Sequence, residues 1–251
     1  MPDCEPSEDG LYQDPDLARF YDIENPWSDD LEYCLRLAND AQSVLDLGCG
    51  TGQLAARMAN GRTVFGVDPA GAMLEIARRR PGGQRVTWVQ ADARAVRLGR
   101  RFDLVLLTGH AFQVFLTDAD QAAVLSTIAE HLAPGGRFIF DTRNPVVEEW
   151  REWTPELSMR YIECSGLGAV RAWNDVVHDT ATGIVTYQTH YQIVESGQHI
   201  EAASKIRFVT RQVLAEALEG AGLTVDEWLG DWKGGGHEPA SPEIIPMGRL
   251  R

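Results

Sequence analysis

The sequence predicts an α/β protein: a doubly wound parallel sheet covered by helices on both faces, with an antiparallel β-sheet inserted late in the chain. Three observations carry this expectation. Short, nearly unbroken apolar runs alternate with helical patterns between residues 43 and 142, the signature of strands buried on both faces. After Asn144-Pro145 the apolar period changes to two, with turn dipeptides between the runs. A chain of 251 residues also suits one generous domain or one domain with an insertion.

The elements follow in order. "SVLDL" (43–47) reads as a buried strand and "QLAARMAN" as the helix after a glycine turn. "TVFGVD" is a second strand. The helix "AGAMLEIARRR" follows, with cations in its last turn and Pro81-Gly82-Gly83 as its stop. "RVTWVQAD" and "FDLVLLT" supply two more strands. "DADQAAVLSTIAEHL" is an amphipathic helix closed by Ala133-Pro134-Gly135-Gly136, and "RFIFDT" is the fifth strand.

Residues 159–209 then read as four antiparallel strands, with turns at Ser165-Gly166, Thr182-Gly183 and Ser196-Gly197. Val185, Tyr187, Thr189, Tyr191 and Ile193 share a core face, and Thr186, Gln188, His190 and Gln192 a wet one. "TRQVLAEALEGAGL" is a helix with Gly222 near its C-cap, "TVDEWLG" a strand and "PEIIPMGRL" the last strand. The expected organisation is an acidic segment with lid helices over 1–40, a cofactor-binding α/β core over 41–145, the inserted sheet over 146–209 carrying the acceptor pocket, and a return to the core over 210–251.

Charge and composition exclude some functions. The net charge is −14, and ten acidic residues among the first 30 face only Arg19. Such a surface repels phosphate backbones, so no nucleic-acid substrate is expected. The arginines at 78, 79, 80, 85, 94, 97, 100 and 101 read as a solvated face. No apolar run approaches the roughly 20 residues that span a bilayer, and the N-terminus has no signal-peptide pattern. Four scattered cysteines without CxxC spacing suit reduced thiols, and a cytoplasmic location is expected.

"VLDLGCGTG" (44–52) holds the ligand signal. A glycine turn between a strand and its helix brings backbone N–H groups and a helix N-terminus to a ligand. A dinucleotide fingerprint needs glycine at position 53, which is Gln53. Asp46 at the strand end would also repel a diphosphate and suits a ligand carrying positive charge. This pattern resembles motif I of the class I S-adenosylmethionine-dependent methyltransferases. "GVDPAGAMLEIAR", "VQADAR", "FDLVLLTGHAFQVF" and "APGGRFIFDTRNP" are similar to the family's next four motifs, in its order. The tail "WLGDW…SPEIIPMGR" is similar to its last two strands. The resemblance implies a Rossmann-like seven-stranded sheet whose last strand is antiparallel. The sheet inserted after the fifth strand resembles the small-molecule subgroup that includes amino-sugar N-methyltransferases and glycine N-methyltransferase.

The resemblance also implies roles. Gly48 and Gly50 bring the backbone to S-adenosylmethionine, and Asp46, Gly48 and the Thr108 backbone surround its methionine end. Asp68 accepts from both ribose hydroxyls, a geometry that serves a dinucleotide equally well. Asp92 accepts from the adenine amino group, with the Ala93 N–H at a ring nitrogen. Pro69 and Met73 pack on the adenine faces, although plain core packing explains Met73 as well. Tyr12 and Tyr21 are lid residues, Tyr21 toward the cofactor and Tyr12 toward the acceptor. The plainer alternative is an acidic tail up to about Asp14 with ordinary core contacts after it.

For chemistry the candidate is His110, after the fourth strand, because an imidazole titrates near neutrality. It is either the base that takes the acceptor's proton or a residue that bonds a loop. Phe112 and Phe115 are candidates for lining the acceptor pocket or for filling the core. Arg143 is a candidate clamp for an acceptor carboxylate, or else fixes the Asn144-Pro145 turn. Cys49 lacks a paired base. Histidines 131, 178, 190, 199 and 237 show no ligand spacing, and no metal is expected.

The reading is thus an S-adenosylmethionine-dependent methyltransferase acting on an N or O atom of a small-molecule acceptor, as a monomer or homodimer without membrane attachment. Competing readings are an NAD-type oxidoreductase and a methyltransferase-fold binding protein without turnover.

Overall fold

The computed structural model describes residues 10–251. The first nine residues, part of the expected acidic segment, lie outside the described residues. In chain order the elements are α1 (Gly10–Gln13), α2 (Pro15–Glu24), α3 (Asp29–Leu37), β1 (Ser43–Leu47), α4 (Gln53–Met58), β2 (Thr63–Asp68), α5 (Gly71–Arg79), β3 (Val86–Gln90), β4 (Phe102–Leu107) and α6 (Asp118–His131). They continue with β5 (Leu132–Phe140), β6 (Thr142–Arg143), α7 (Pro155–Ser158), β7 (Arg160–Cys164), β8 (Gly168–Asp179), β9 (Ile184–Ile193), β10 (His199–Arg207), α8 (Arg211–Gly220), β11 (Leu223–Leu229) and β12 (Glu243–Leu250). The described residues form two compact units, one of 10–26 with 148–207, the other of 27–147 with 208–251.

The larger unit is the α/β sheet, in the order β11-β12-β5-β4-β1-β2-β3. β1 to β5 pair in parallel, and β12 runs antiparallel to both β5 and β11. Strand alternation divides its core. Leu45, Leu47, Val105 and Leu107 face one cluster, and Val44, Leu104 and Leu106 face the other. Each such side chain contributes about 1.5–3 kcal/mol by leaving water, which is why the strands read as unbroken apolar runs. Asp103 fixes β4 beside β1, since its Oδ2 accepts from the Gln42 and Ser43 N–H groups at 2.9 Å each.

Two details differ from the expectation. β5 begins directly at Leu132, with no loop after α6. Its register with β4 jumps from Phe102↔Leu132 to Leu104↔Arg137, so 133–136 form an irregularity inside the strand rather than a turn before it. An extra two-residue strand, β6, pairs Arg143 with Glu243 of β12. The carboxylate that organises the end of β12 is therefore set beside the end of β5.

The smaller unit is an antiparallel sheet in the order β10-β9-β8-β7. Its core face packs Val170, Ala172, Tyr191, Ile193 and Ala202 against Leu17 and Phe20 of α2, and Phe20 stacks on Tyr191 at 4.2 Å. Glu24, at the end of α2, receives the Arg160 guanidinium, with Nε donating to Oε1 at 2.7 Å, and the Tyr191 hydroxyl at 3.2 Å. Residues 10–26 belong to the unit of the inserted sheet. Helix α3 belongs to the α/β unit, where Cys34 and Ala38 are fully buried. The tail reading is also corrected for 10–14: α1 is helical, and Asp14 caps α2 by accepting from the Asp16 N–H at 2.8 Å.

On the wet face of β9 one residue departs from the pattern: His190 is only 8% exposed. No helix among the described residues is long and apolar enough to cross a membrane. Cys34, Cys49 and Cys164 are free thiols, and burial pushes the Cys49 thiol well up, with Asp46 and Asp68 adding to it.

Candidate active site

The sheet order reverses between β1 and β4, which opens a crevice beyond the strand ends. The glycine turn leaves β1 there. Gly48, Gly50 and Gly52 all sit in the left-handed region, at φ 65°, 53° and 74°. At Gly52 space as well as φ excludes a side chain: a Cβ would lie 2.4 Å from the Trp88 ring and 2.9 Å from Ala77 Cβ. Asp68, at the end of β2, ties the turn to the head of α5. Its Oδ2 accepts from the Gly50 N–H and its Oδ1 from the Ala70 N–H, both at 2.8 Å. A carboxylate oxygen accepts more than one hydrogen bond, so both oxygens keep capacity for ribose hydroxyls. Burial raises the Asp68 pKa, and these two N–H groups restrain it. From outside, Arg80 donates from Nε to the Thr51 carbonyl at 2.9 Å and from Nη2 to Thr51 Oγ1 at 3.1 Å. It braces the turn, whereas the sequence placed it among solvated arginines.

Asp46 tests whether S-adenosylmethionine suits this turn. Its side chain is 3% exposed and makes no hydrogen bond among the described residues. Burial, with Asp68 adding, holds its carboxyl up at about 7. A buried carboxyl without a partner gains most from an incoming cation. The α-ammonium of S-adenosylmethionine supplies one, and a diphosphate would not. The donor set fits.

The remaining expected cofactor residues are placed as follows. Thr108 is half-buried after β4, in the stretch between Leu107 and Ala111, which a Cβ on Gly48 would meet at 3.6 and 3.1 Å. Pro69 is exposed, and its carbonyl accepts from Gln90 Nε2 at 3.2 Å. Met73 and Ala93 are buried. Asp92 is held by Arg94, whose Nη2 donates to Oδ2 at 2.6 Å and whose Nη1 reaches Asp120 at 2.8 Å. That pairing keeps the Asp92 carboxyl below its usual range. Tyr12 and Tyr21 belong to the other unit, where their rings meet edge to face at 6.2 Å and Tyr12 Oη lies 3.2 Å from Tyr187 Oη.

His110 stands at the end of β4 in left-handed backbone, φ 60°, a conformation non-glycine residues seldom take. Its N–H donates to both oxygens of Asp141, at 3.2 and 3.1 Å. Its ring Nε2 lies 2.9 Å from Glu243 Oε1 and 3.4 Å from Asp141 Oδ2. With Nε2–H donating to Glu243, Nδ1 carries the lone pair. The arrangement is a carboxylate-oriented imidazole, able to take a proton. Asp141 is 1% exposed. Burial and Glu243 raise its carboxyl above the usual range, and His110 opposes the rise.

The substrate candidates are placed as follows. Phe112 is 0% exposed and stacks on Phe140 at 4.7 Å. It packs in the core beside Phe140, and Phe115 lies in the same cluster. Arg143 donates from Nη1 to Gln113 Oε1 at 3.0 Å, and in the turn after it Asn144 donates from Nδ2 to the Pro239 and Ser241 carbonyls at 3.0 and 2.8 Å. Sequence reasoning missed Asp141, Glu243 and Gln113. The first ends the run "RFIFD" and was legible as a strand-end acid. Glu243 is 133 residues from its histidine partner, and only the antiparallel return of β12 brings it there.

Residues 44–136 match the family described as a methyltransferase domain. Over 207 residues the chain is 30% identical to a dTDP-3-amino-3,6-dideoxy-alpha-D-glucopyranose N,N-dimethyltransferase of Streptomyces fradiae, covering 78% of this chain and 75% of the relative. It is 29% identical over 231 residues to a dTDP-3-amino-3,4,6-trideoxy-alpha-D-glucopyranose N,N-dimethyltransferase of Streptomyces venezuelae, covering 88% and 91%. The fold is similar to the CcbJ methyltransferase from Streptomyces caelestis, with TM-score 0.76, 21% identity and coverage of 92% and 96%. With the glycine turn, the unpaired Asp46 and the antiparallel last strand in place, the chain belongs to the class I S-adenosylmethionine-dependent methyltransferases. It is an enzyme, its cofactor is S-adenosylmethionine, and the NAD-type reading is set aside.

Proposed function

We propose that the chain transfers methyl groups to the amine nitrogen of a small amino sugar. The observation that carries this reading is the extent of the match to amino-sugar N,N-dimethyltransferases. In the Streptomyces venezuelae relative it spans 88% of this chain, so it reaches beyond the cofactor motifs into the inserted sheet. S-adenosylmethionine supplies an activated methyl on a sulfonium. In this reading Asp46 receives its ammonium, Asp68 its ribose hydroxyls, and Asp92 with the Ala93 N–H its adenine edge, beside Pro69 and Met73.

A sugar amine is largely protonated near neutral pH and must lose a proton before it attacks. Nδ1 of His110, oriented by Glu243 through Nε2, takes that proton. Asp141 fixes the left-handed His110 backbone and so aims the ring. Arg143, cross-strand from Glu243, offers its charge to an anionic group of the acceptor. The inserted sheet selects the acceptor, and the cofactor role of Tyr21 is tested by the rise in cofactor Kd on Tyr21→Ala.

The test is kinetic. With an amino-sugar acceptor, His110→Ala lowers kcat by about 10²–10⁴-fold, and Glu243→Gln lowers it in the same direction, both with cofactor affinity retained. A loss near tenfold that appears mainly in KM would assign His110 to orienting the acceptor. Unchanged kcat and KM would remove it from the mechanism.

A further inference from the structure

The inserted sheet carries a second group of ligating side chains, far in sequence from the glycine turn. Register sets Trp173 of β8 opposite His190 of β9, and His190 opposite Glu201 of β10. Asp175 and His199 lie two residues along the same strands and so share that face. The rings of Trp173, His190 and His199 are nearly parallel, with interplanar angles of 8°, 2° and 6°.

His190 Nε2 lies 2.8 Å from Asp175 Oδ2. In the neutral ring an Nε2–H donates to the carboxylate and leaves Nδ1 the lone pair. That lone pair faces His199 Nε2 at 3.2 Å and Glu201 Oε2 at 3.1 Å. His199 Nε2 and Glu201 Oε2 are 4.0 Å apart. Electron-pair donors gathered this closely repel one another unless a proton or a metal cation sits among them. A tetrahedral cation with bonds of roughly 2.0–2.2 Å sets its ligands about 3.3–3.6 Å apart. Two of the three separations fall a few tenths of an ångström inside that spacing and the third lies outside it, and Glu201, half exposed, reaches it by turning.

We propose that His190 Nδ1, His199 Nε2 and a Glu201 oxygen form a binding site for a divalent transition cation. Two imidazole nitrogens and one carboxylate oxygen suit zinc. Asp175 is the outer carboxylate that fixes the His190 tautomer, an arrangement common behind metal-bound histidines. Trp173 supplies the apolar wall that keeps His190 buried. The ion joins β9 to β10 on the face that lacks a hydrophobic core, so its role is to stiffen the inserted sheet. The sequence hid this site because positions 190 and 199 match no local ligand spacing; the hairpin between β9 and β10 creates it.

The full chain, stripped with a chelator, is titrated with Zn²⁺ by calorimetry and with Co²⁺ by visible absorption. The expected result is one equivalent bound at micromolar or tighter affinity, a tetrahedral cobalt spectrum, and a Tm that rises with zinc concentration. His199→Gln and Glu201→Gln alter exposed side chains, and retained S-adenosylmethionine binding checks their fold. Each weakens zinc by about tenfold or more, and Asp175→Asn by roughly tenfold. His110→Asn separates this site from the His110, Asp141 and Glu243 cluster and leaves the equivalent in place. Binding only at millimolar zinc, wild-type affinity in both His199→Gln and Glu201→Gln, or loss of the equivalent in His110→Asn overturns the proposal.

Discussion

Lowering the pH from 8 to 6 weakens cofactor binding about tenfold if Asp46 must be ionised to hold the ligand's ammonium. The magnitude comes from the site. Burial and Asp68 hold the Asp46 carboxyl at about 7 in the ligand-free protein. A ligand that binds only the ionised form has an apparent Kd multiplied by one plus the ratio of protonated to ionised Asp46. That factor is about 1.1 at pH 8 and about 11 at pH 6, a ratio near tenfold or about 1.4 kcal/mol. The sign is fixed by the raised pKa. In the free chain Asp46 contributes stability that is complete below its unfolded pKa and is lost as pH rises toward 7. The incoming ammonium reverses this penalty, so binding strengthens over the same window and releases a proton at its acid end. The assay is calorimetry with S-adenosylhomocysteine, whose ammonium keeps its charge throughout, in buffers of different ionisation enthalpy. Asp46→Asn should bind weakly at pH 8 and lose the slope between pH 6 and 8. A flat Kd in the wild type, or the same slope in Asp46→Asn, would refute the assignment.

Other expectations follow from neighbouring geometry. Asp68→Ala weakens S-adenosylmethionine by about 2–3 kcal/mol, the scale of two charge-assisted hydrogen bonds less solvent compensation, or roughly 30- to 150-fold. A change under about threefold in a binding titration would show that Asp68 does not hold the ribose. Gly52→Ala meets Trp88 and Ala77 in left-handed backbone, whereas Gly61→Ala, at φ 79°, has nothing within 4 Å. Denaturant unfolding should show about 1–2 kcal/mol of backbone strain in both and about 1–3 kcal/mol more for Gly52→Ala. Equal losses would mean that Trp88 yields freely.

The fold was legible wherever a local pattern recorded it. Unbroken apolar strands and the change of period after Asn144 were enough for the parallel core and the four inserted strands, because burial on two faces or on one leaves different spacings. The glycine turn with Asp46 and Asp68 was legible because left-handed backbone restricts residue type so strongly. Contacts made across the sheet were not. Glu243 reaches His110 only through strand order. Arg80 reads as one of many surface arginines until its guanidinium is seen against Thr51. Phe112 illustrates the converse: an aromatic beside a site motif suggested a pocket wall, yet its ring packs on Phe140 in the core. The start of β5 was misplaced because Pro134-Gly135-Gly136 signals a turn, and the strand absorbs those residues as an irregularity.

The central claim is methyl transfer to nitrogen with His110 accepting the proton. It is tested most directly by offering the enzyme S-adenosylmethionine with an amino-sugar nucleotide and, separately, with the same sugar bearing a hydroxyl in place of the amine. Products are read by mass spectrometry, and the methylated atom by NMR. The account expects methylation of the amine compound on nitrogen, none of the hydroxyl compound, and a loss of about 10²–10⁴-fold in kcat with His110→Ala. Methylation of the hydroxyl compound with equal kcat/KM, or on oxygen in both compounds, would contradict it.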